Sequence, residues 1–225
     1  MNTPVIVDPS AKISSWRRAT WTEYLERVEN LGESERVFFN LDTIWIDMGN
    51  EGINHSRFNE LFSLLLFVWF SRQSDVKFDL LGGCVMEKPQ TQSAAPDKVL
   101  YVGGNSPRWK SGEPRRVNLD LWRVPDLVAE IADTTLAIDL DEKKQLYLAL
   151  GIPEYWVIDV KGKQVFAFKL VDRKYEQCTE SVALTGLPIE LLEQTLERMD
   201  NENGNAALWF AAQIQNLSIR SIDEV

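Results

Sequence analysis

The sequence predicts an α/β chain in which one mixed sheet is flanked by helices. Three observations carry that reading. Short strand-like stretches alternate with helical ones along the chain, the order expected of a layered α/β arrangement. The run from about Ser56 to Ser71 is apolar nearly all round, which marks a helix buried inside the protein. Asp126 to Ile131 is mostly apolar on both alternations, the pattern of a strand at the centre of a sheet.

The elements follow in order. Residues 1–15 read as a loose N-terminal arm, with Pro4 and Pro9 and little periodicity. Thr20-Trp21-Thr22-Glu23 has the form of a capping box, and Tyr24, Leu25, Val28 and Leu31 give the helix after it an apolar stripe. Arg36 to Asn40 and Thr43 to Met48 read as two short strands joined at Leu41-Asp42. Ser56 is the expected N-cap of the buried helix. Val76 to Met86 reads as a strand, with Gly82-Gly83 marking a bulge or a close backbone contact, and residues 87–95 as a loop. Asp97 to Val102 is a short strand and Gly103 to Glu113 a surface loop.

After the central strand, Asp139 to Leu150 reads as a helix ended by Gly151, with Pro153 just beyond. Tyr155 to Val160 and Lys163 to Leu170 form a hairpin around Lys161-Gly162. Helices near Ile189 to Met199 and Ala206 to Ile214 close the chain. There is no internal repeat and no low-complexity linker. The expectation is one domain over residues 1–225, with the arm, a core over about 20–170 and a tail of strands and helices over 171–225.

Composition narrows the class. Eight Trp and ten Phe in a chain that is 44% hydrophobic are enough to build a substantial core. Cys84 and Cys178 make neither a disulfide framework nor a zinc spacing. No basic segment leads into an apolar run at the N-terminus, and Leu61 to Phe70 is about half the roughly 20 residues a membrane helix needs. The expectation is a soluble, cytoplasmic protein that does not enter membranes. A net charge of −10 runs against nucleic-acid binding, which needs local Lys and Arg. One window runs the other way: residues 108–123 carry Arg108, Lys110, Arg115, Arg116 and Arg123 against Glu113 and Asp120. A solvated loop is the plainer account of that strip; on a nucleic acid, Arg108, Lys110, Arg115 and Arg116 would contact backbone phosphates.

The chemistry available is acidic residues and lysine. The chain has no Gly-rich phosphate loop, no nucleophile elbow and a single histidine, His55. Carboxylates with lysine suit magnesium-dependent phosphodiester hydrolysis. Asp126 and Glu130 share a face of their strand, but four residues separate them by roughly 13 Å, too far to hold one ion. A second carboxylate must come from a neighbouring strand, and Asp97 opens one. If the two strands pair at roughly 4.8 Å, Asp97 and Glu130 can converge on one metal. A lysine would add a donor for the charge developing on phosphate.

Residues from about 94 to 170 resemble the Uma-type family of bacterial restriction-endonuclease-like proteins, long catalogued as a domain of unknown function, and through it the PD-(D/E)XK nuclease superfamily. The resemblance is carried by Pro96-Asp97, by Pro125-Asp126-Leu127-Val128-Ala129-Glu130-Ile131, by Asp139 with Glu142-Lys143, by Tyr147, and by Gly151 through Asp159. About Thr20 to Trp69 fits more loosely, and the tail beyond Leu170 hardly at all. The resemblance implies a restriction-endonuclease-like mixed sheet, Mg²⁺ or Mn²⁺ as cofactor, DNA as partner and a homodimer. By position it makes Asp97 the Asp of the PD element and Glu130 the acid of the (D/E)XK element. The lysine expected two residues after Glu130 is absent, since Ala132 stands there; Lys143 on the following helix is the match, with Lys144 a substitute. Asp133 adds charge near the site, for a second ion or as a helix cap.

Each residue has a plainer reading. Asp97 after Pro96 fits turn chemistry. Glu130 is harder to dismiss, because a carboxylate buried without a partner costs several kcal/mol. Lys143 alone would be a solvated helix residue, Asp126 a structural residue at the strand entrance, Asp139 an N-cap, and His55 a cap or packing residue. Glu60 is a further acid on an early helix, and Trp109 beside Arg108 could stack on a base. Glu154, Tyr155 and Trp156 fix the turn into the next strand. The functional expectation is a metal-dependent endonuclease acting on DNA. The alternatives are a catalytically silent nuclease-fold module that binds nucleic acid or a protein, and a metal-dependent hydrolase of another substrate.

Overall fold

A computed structural model describes residues 16–32, 35–47, 51–200, 202–215 and 217. The expected arm over 1–15 lies outside them. In chain order the elements begin β1 (Arg17–Arg18), α1 (Trp21–Glu29), β2 (Arg36–Asn40), β3 (Thr43–Asp47) and α2 (Ile53–Ser71). There follow β4 (Phe78–Leu81), β5 (Met86–Lys88), β6 (Gln92–Ala94), β7 (Lys98–Val102), β8 (Val117–Asn118) and β9 (Leu127–Ala132). The rest are α3 (Leu136–Leu140), α4 (Glu142–Ala149), β10 (Glu154–Asp159), β11 (Gln164–Val171), β12 (Lys174–Gln177), α5 (Ile189–Leu196), a 3-10 turn (Glu197–Asp200) and α6 (Asn203–Ile214). The mixed α/β class is as expected. The capping box closes as the sequence specifies: Thr20 N–H donates to the Glu23 carboxylate at 2.6 Å, and Glu23 N–H to Thr20 Oγ1 at 3.2 Å.

The strands form two mixed sheets rather than one. The first runs β1-β3-β2-β6-β5-β8 and the second β12-β11-β10-β9-β7-β4. The division falls at Gly82-Gly83. The stretch expected as one strand over 76–86 is two: β4 pairs with β7 in the second sheet, and β5 pairs with β6 in the first. Gly83 turns the chain in the left-handed region (φ 61°), where a side chain would be strained. Gly82 passes so close to the next segment that an added Cβ would stand 3.3 Å from the Asp97 carbonyl oxygen. The stretch over 87–95 is therefore not a plain loop but most of a hairpin, whose short polar strands carry little hydrophobic signal.

The second sheet is packed on both faces, which explains why β9 reads as continuously apolar. Leu127, Ala129 and Ile131, with Trp156 and Ile158 of β10, meet Leu61, Leu65 and Trp69 of α2 and Phe210 of α6. Val128 with Tyr155 and Val157 meets Leu146 and Tyr147 of α4 and Phe38 and Trp45 of the first sheet. Glu130 alternates onto this second face. It is the acidic residue of β9, it is 1% exposed, and its nearest strand neighbour across the parallel pairing is Val157.

Two helix assignments change. Helix α2 starts at Ile53 with Gly52 as N-cap and no side-chain cap, so Ser56 lies inside it. The helix expected over 139–150 is two, α3 and α4, hinged at Asp141. Asp139 is not a cap: it is completely buried within α3 and paired with Lys143. Among the described residues, no helix is long and apolar enough to cross a membrane.

Candidate functional site

The site grows from the register of β7 against β9. Lys98 lies opposite Ala129 in an antiparallel pair, which sets Asp97 opposite Glu130 at the end of the ladder. Directly opposed residues share a face and bring their Cβ atoms to about 4.5–5.5 Å. Asp97 turns back onto the strand it faces, and one oxygen accepts the Ile131 N–H at 2.7 Å. The same oxygen lies 3.1 Å from His55 Nε2, and the other takes a short hydrogen bond from Arg36. Both carboxylate oxygens of Asp97 are thus engaged, at 2% exposure.

Arg36 opens β2 in the first sheet and also bonds Glu51, which stands just before α2. Glu51 lies 3.1 Å from His55 Nδ1, one helical turn on. His55, expected as a cap or packing residue, is instead a bridge between two carboxylates, presented by the first turn of α2. Burial lowers its pKa, but the hydrogen bond and charge of Asp97, with Glu51 behind them, raise it above the ordinary value. Burial works against the charge of Asp97 as well; His55, Arg36 and Lys143 outweigh it and hold that carboxyl well below its usual range.

On the other side of Glu130, Lys143 Nζ lies 3.1 Å from one carboxylate oxygen and 2.9 Å from Asp139. Tyr147, one turn further along α4, donates a short hydrogen bond to the second Glu130 oxygen. The ammonium also sits 4.6 Å from the Phe38 ring centroid and 5.1 Å from that of Trp45. Burial disfavours the charge of Lys143, yet Glu130, Asp139 and Asp97 together raise its pKa. Glu130 moves the other way. Burial pushes its carboxyl up to about 8, the charges of Asp97 and Asp139 add to the rise, and Lys143 and Tyr147 only partly offset it.

A cleft of about 220 Å³ opens over these groups. Its walls come from Arg36 and Asp47 of the first sheet, Glu51, Gly52 and His55 at the start of α2, Asp97 and Glu130, Asp133 to Thr135 after β9, and Lys143 of α4. Among the described residues the lining therefore holds five carboxylates (Asp47, Glu51, Asp97, Glu130 and Asp133) against Arg36, Lys143 and His55. That excess of hard oxygen donors suits a divalent cation such as Mg²⁺ or Mn²⁺, and an imidazole among them is compatible with Mn²⁺. Glu51, His55 and Asp97 offer ligand atoms all within 4.8 Å of one another. The sequence points to Asp97 and Glu130, with Asp133 and Glu60 as further acids, and not to Glu51 or His55 as ligands.

The remaining expected site residues scatter. Asp133 lines the cleft, with Oδ2 3.6 Å from where a Cβ on Gly52 would stand. Glu60 is exposed on α2, where Lys98 feels its charge. Asp126 accepts from Val102 N–H at 2.6 Å and pairs with Arg123 at 2.8 Å, at the far end of β7. Lys144 lies on another side of α4, 3.6 Å over the Phe168 ring. In the basic strip, Arg108 pairs with Asp79, Arg116 with Glu87 at 2.8 Å, and Arg115 stacks 5.3 Å over the exposed Trp109 ring. Lys110 sits in the same loop, its N–H bonded to the Glu113 carboxylate at 3.2 Å.

Residues 21–199, well over half of the chain, match the model of the Uma2 family, described as "Putative restriction endonuclease". The chain belongs to the Uma2 family. The match runs past Leu170 to the 3-10 turn after α5, so the tail belongs to the family unit further than its residues suggest. One solved structure with this fold is described as a "putative nuclease belonging to DUF820" from Anabaena variabilis ATCC 29413. It is 17% identical with a TM-score of 0.54, over 85% of this chain and 99% of that one; at such identity the likeness shows the fold. No curated protein matches this member of the family.

Arg36, Glu51 and His55 do not stand out as site residues in the sequence. Their only signal there is the i, i+4 spacing of Glu51 and His55, which becomes informative once the helix is known to start at Ile53.

Proposed function

We propose that this Uma2 member hydrolyses phosphodiester bonds in DNA, with Mg²⁺ or Mn²⁺ held by Asp97 and Glu130 and with Lys143 as the adjacent cation. The observation that carries the proposal is the opposition of Asp97 and Glu130 on paired strands, with Lys143 3.1 Å from Glu130, beneath a cleft rich in carboxylates. The family description and the nuclease description of the structural neighbour point to the same class of chemistry.

The ion, when bound, lowers the pKa of a coordinated water and neutralises charge on the scissile phosphate. The chain's own groups hold that arrangement in place. Tyr147 fixes one oxygen of Glu130 and so limits the rotation of its carboxylate. Ile131 N–H and His55 orient Asp97. Asp139 anchors Lys143 independently of Glu130, which would keep the ammonium at the cleft floor with an ion held by Glu130. There it faces the negative charge that grows on the phosphate oxygens during attack. Glu51 and Asp133 are the candidates for further ligands.

Replacing Glu130 with Gln tests this directly. The variant keeps the shape of the side chain, so it should fold and bind DNA yet no longer nick supercoiled plasmid with Mg²⁺ or Mn²⁺. Retained nicking would sink the assignment.

One observation favours a silent module instead. Arg36, His55 and Ile131 N–H already engage both oxygens of Asp97, an arrangement that a purely structural network would also show. Calorimetry separates the two readings: a silent module takes up no Mn²⁺, whereas the enzyme does and loses it on Asp97→Asn.

A further inference from the structure

Strands β9 and β10 run parallel, so their carboxyl ends lie side by side. That edge of an α/β sheet is where ligands commonly bind. Asp133 follows β9 there, and the turn Lys161-Gly162-Lys163 follows β10. Asn54 and Arg57, from the first turns of α2, face the same edge. Together with Met199 these residues line a second hollow of about 300 Å³, and Asp133 belongs to both this hollow and the cleft.

The two openings share Asp133 as a wall, and the charge changes sign between them. Among the described residues, the cleft is dominated by carboxylates, whereas the hollow sets Arg57, Lys161 and Lys163 beside Asp133. The backbone that carries these cations is held in place. Asp159 accepts the N–H groups of Lys161 and Gly162 at 3.0 and 2.9 Å, which closes the turn, and Lys163 takes a left-handed backbone (φ 53°). Arg57 donates to the Met199 carbonyl at 3.2 Å, and Asn203 bonds the Arg57 carbonyl at 3.4 Å. Cations carried on a tight turn and a helix need less backbone ordering on binding than those of a long loop.

The basic strip around residues 108–116 stands elsewhere. Its loop leaves the carboxyl end of β7, and β7 is antiparallel to β9. Five residues at about 3.3 Å put that exit roughly 16 Å along the strand from Asp97.

We propose that Arg57, Lys161 and Lys163 form a phosphate-binding lip over which the sugar–phosphate backbone of a nucleic acid runs into the cleft, in place of the 108–116 loop. The proposal rests on the nuclease reading and names how the substrate is held. A chain of net charge −10 needs such a local cation cluster to approach a polyanion.

The test is fluorescence anisotropy of a labelled duplex of about 20 base pairs with Ca²⁺ in place of Mg²⁺, over a range of salt. Two double variants are compared: Lys161→Gln with Lys163→Asn, and Lys110→Gln with Arg115→Gln. Asn is used at position 163 because it tolerates the left-handed backbone. The exposed Lys161→Gln alone serves as a control that leaves the turn's backbone bonds intact. The lip variant should bind about tenfold more weakly, with a salt slope lower by about 1 for each phosphate no longer neutralised. The loop variant should bind within about twofold of the unaltered chain, since that loop leaves the far end of β7, away from the cleft. Equal losses in both variants, a loss confined to the loop variant, or no duplex binding by the unaltered chain would each overturn the lip. Mn²⁺ calorimetry on the same proteins keeps this separate from the nuclease reading. A lip that binds DNA on a chain that takes up no Mn²⁺ leaves the inference standing and removes the nuclease.

Discussion

Asp97 and Glu130 face each other across the β7–β9 pair, yet their carboxyls are driven in opposite directions. His55, Arg36 and Lys143 hold Asp97 low against its burial, whereas burial pushes Glu130 up to about 8. Two acids on neighbouring strands with divergent proton affinity are a recurrent sign of a functional pair.

A first consequence is a proton released on metal binding. At pH 7 Glu130 holds its proton in the metal-free site, and a cation can use the carboxylate only after losing it. Mn²⁺ affinity should rise by about tenfold per pH unit below pH 8 and level off above it. Calorimetry near neutral pH in buffers of different ionisation enthalpy should count close to one proton released. In Glu130→Gln that release should vanish.

Lys143 is the counter-charge for buried Asp139 and lies beside the Glu130 carboxyl. Lys143→Met leaves Asp139 without its counter-charge and should cost about 3–5 kcal/mol, the range for breaking a buried pair. Urea denaturation gives the value. Adding Glu130→Gln and Asp139→Asn to Lys143→Met should restore much of the loss, because the uncompensated charge at position 139 is then gone and position 130 no longer titrates. A triple variant as unstable as the single one would mean that Lys143 acts mainly through its packing on Phe38 and Trp45.

Glu154 predicts a pH dependence unrelated to the site. Burial raises its pKa to about 7, even though the N–H groups of Val182 and Ala183, the Ser181 hydroxyl and the Trp156 indole all donate to it. The folded state keeps a proton that the unfolded state loses near the ordinary value of 4.5, so stability falls as pH rises from about 4.5 through 7. Its share of that fall is on the order of 3 kcal/mol. Glu154→Gln cannot titrate, so melting curves should show the variant gaining on the unaltered chain by that amount over the interval. Parallel pH profiles would refute it.

Gly162 governs the turn that carries the proposed lip. An added Cβ would stand 2.3 Å from Asp159 Oδ2 and displace the carboxylate that closes the turn. Gly162→Ala should cost about 1–3 kcal/mol, in line with the loss of a locally essential hydrogen bond. It should also weaken duplex binding without changing Mn²⁺ affinity, as calorimetry and anisotropy would show.

Much of the frame is legible in the sequence because it rests on local rules. The capping box at Thr20, the all-round apolar helix, the apolar central strand and the hairpin at Lys161-Gly162 each follow from interactions within a few residues. Asp97 and Glu130 can be paired by elimination, since one strand cannot bring two of its own acids within reach of one ion. The Gly82-Gly83 break is visible as a close approach, but the transfer of the chain from one sheet to the other is not. Neither glycine records which partner the next strand will choose.

The sequence by itself determined the α/β class, the family and two acids on neighbouring strands. These depend on periodicity, turn chemistry and short ordered motifs. Only the tertiary structure decided that Arg36 reaches Asp97 from another sheet, that His55 bridges two carboxylates, that Asp139 is an ion-pair partner rather than a cap, and that the basic loop leaves from the far end of β7. Each is a relationship between residues distant along the chain, set by strand order and helix placement. Such pairings form because a buried charge must find a counter-charge, and a linear sequence does not say where in space that counter-charge stands.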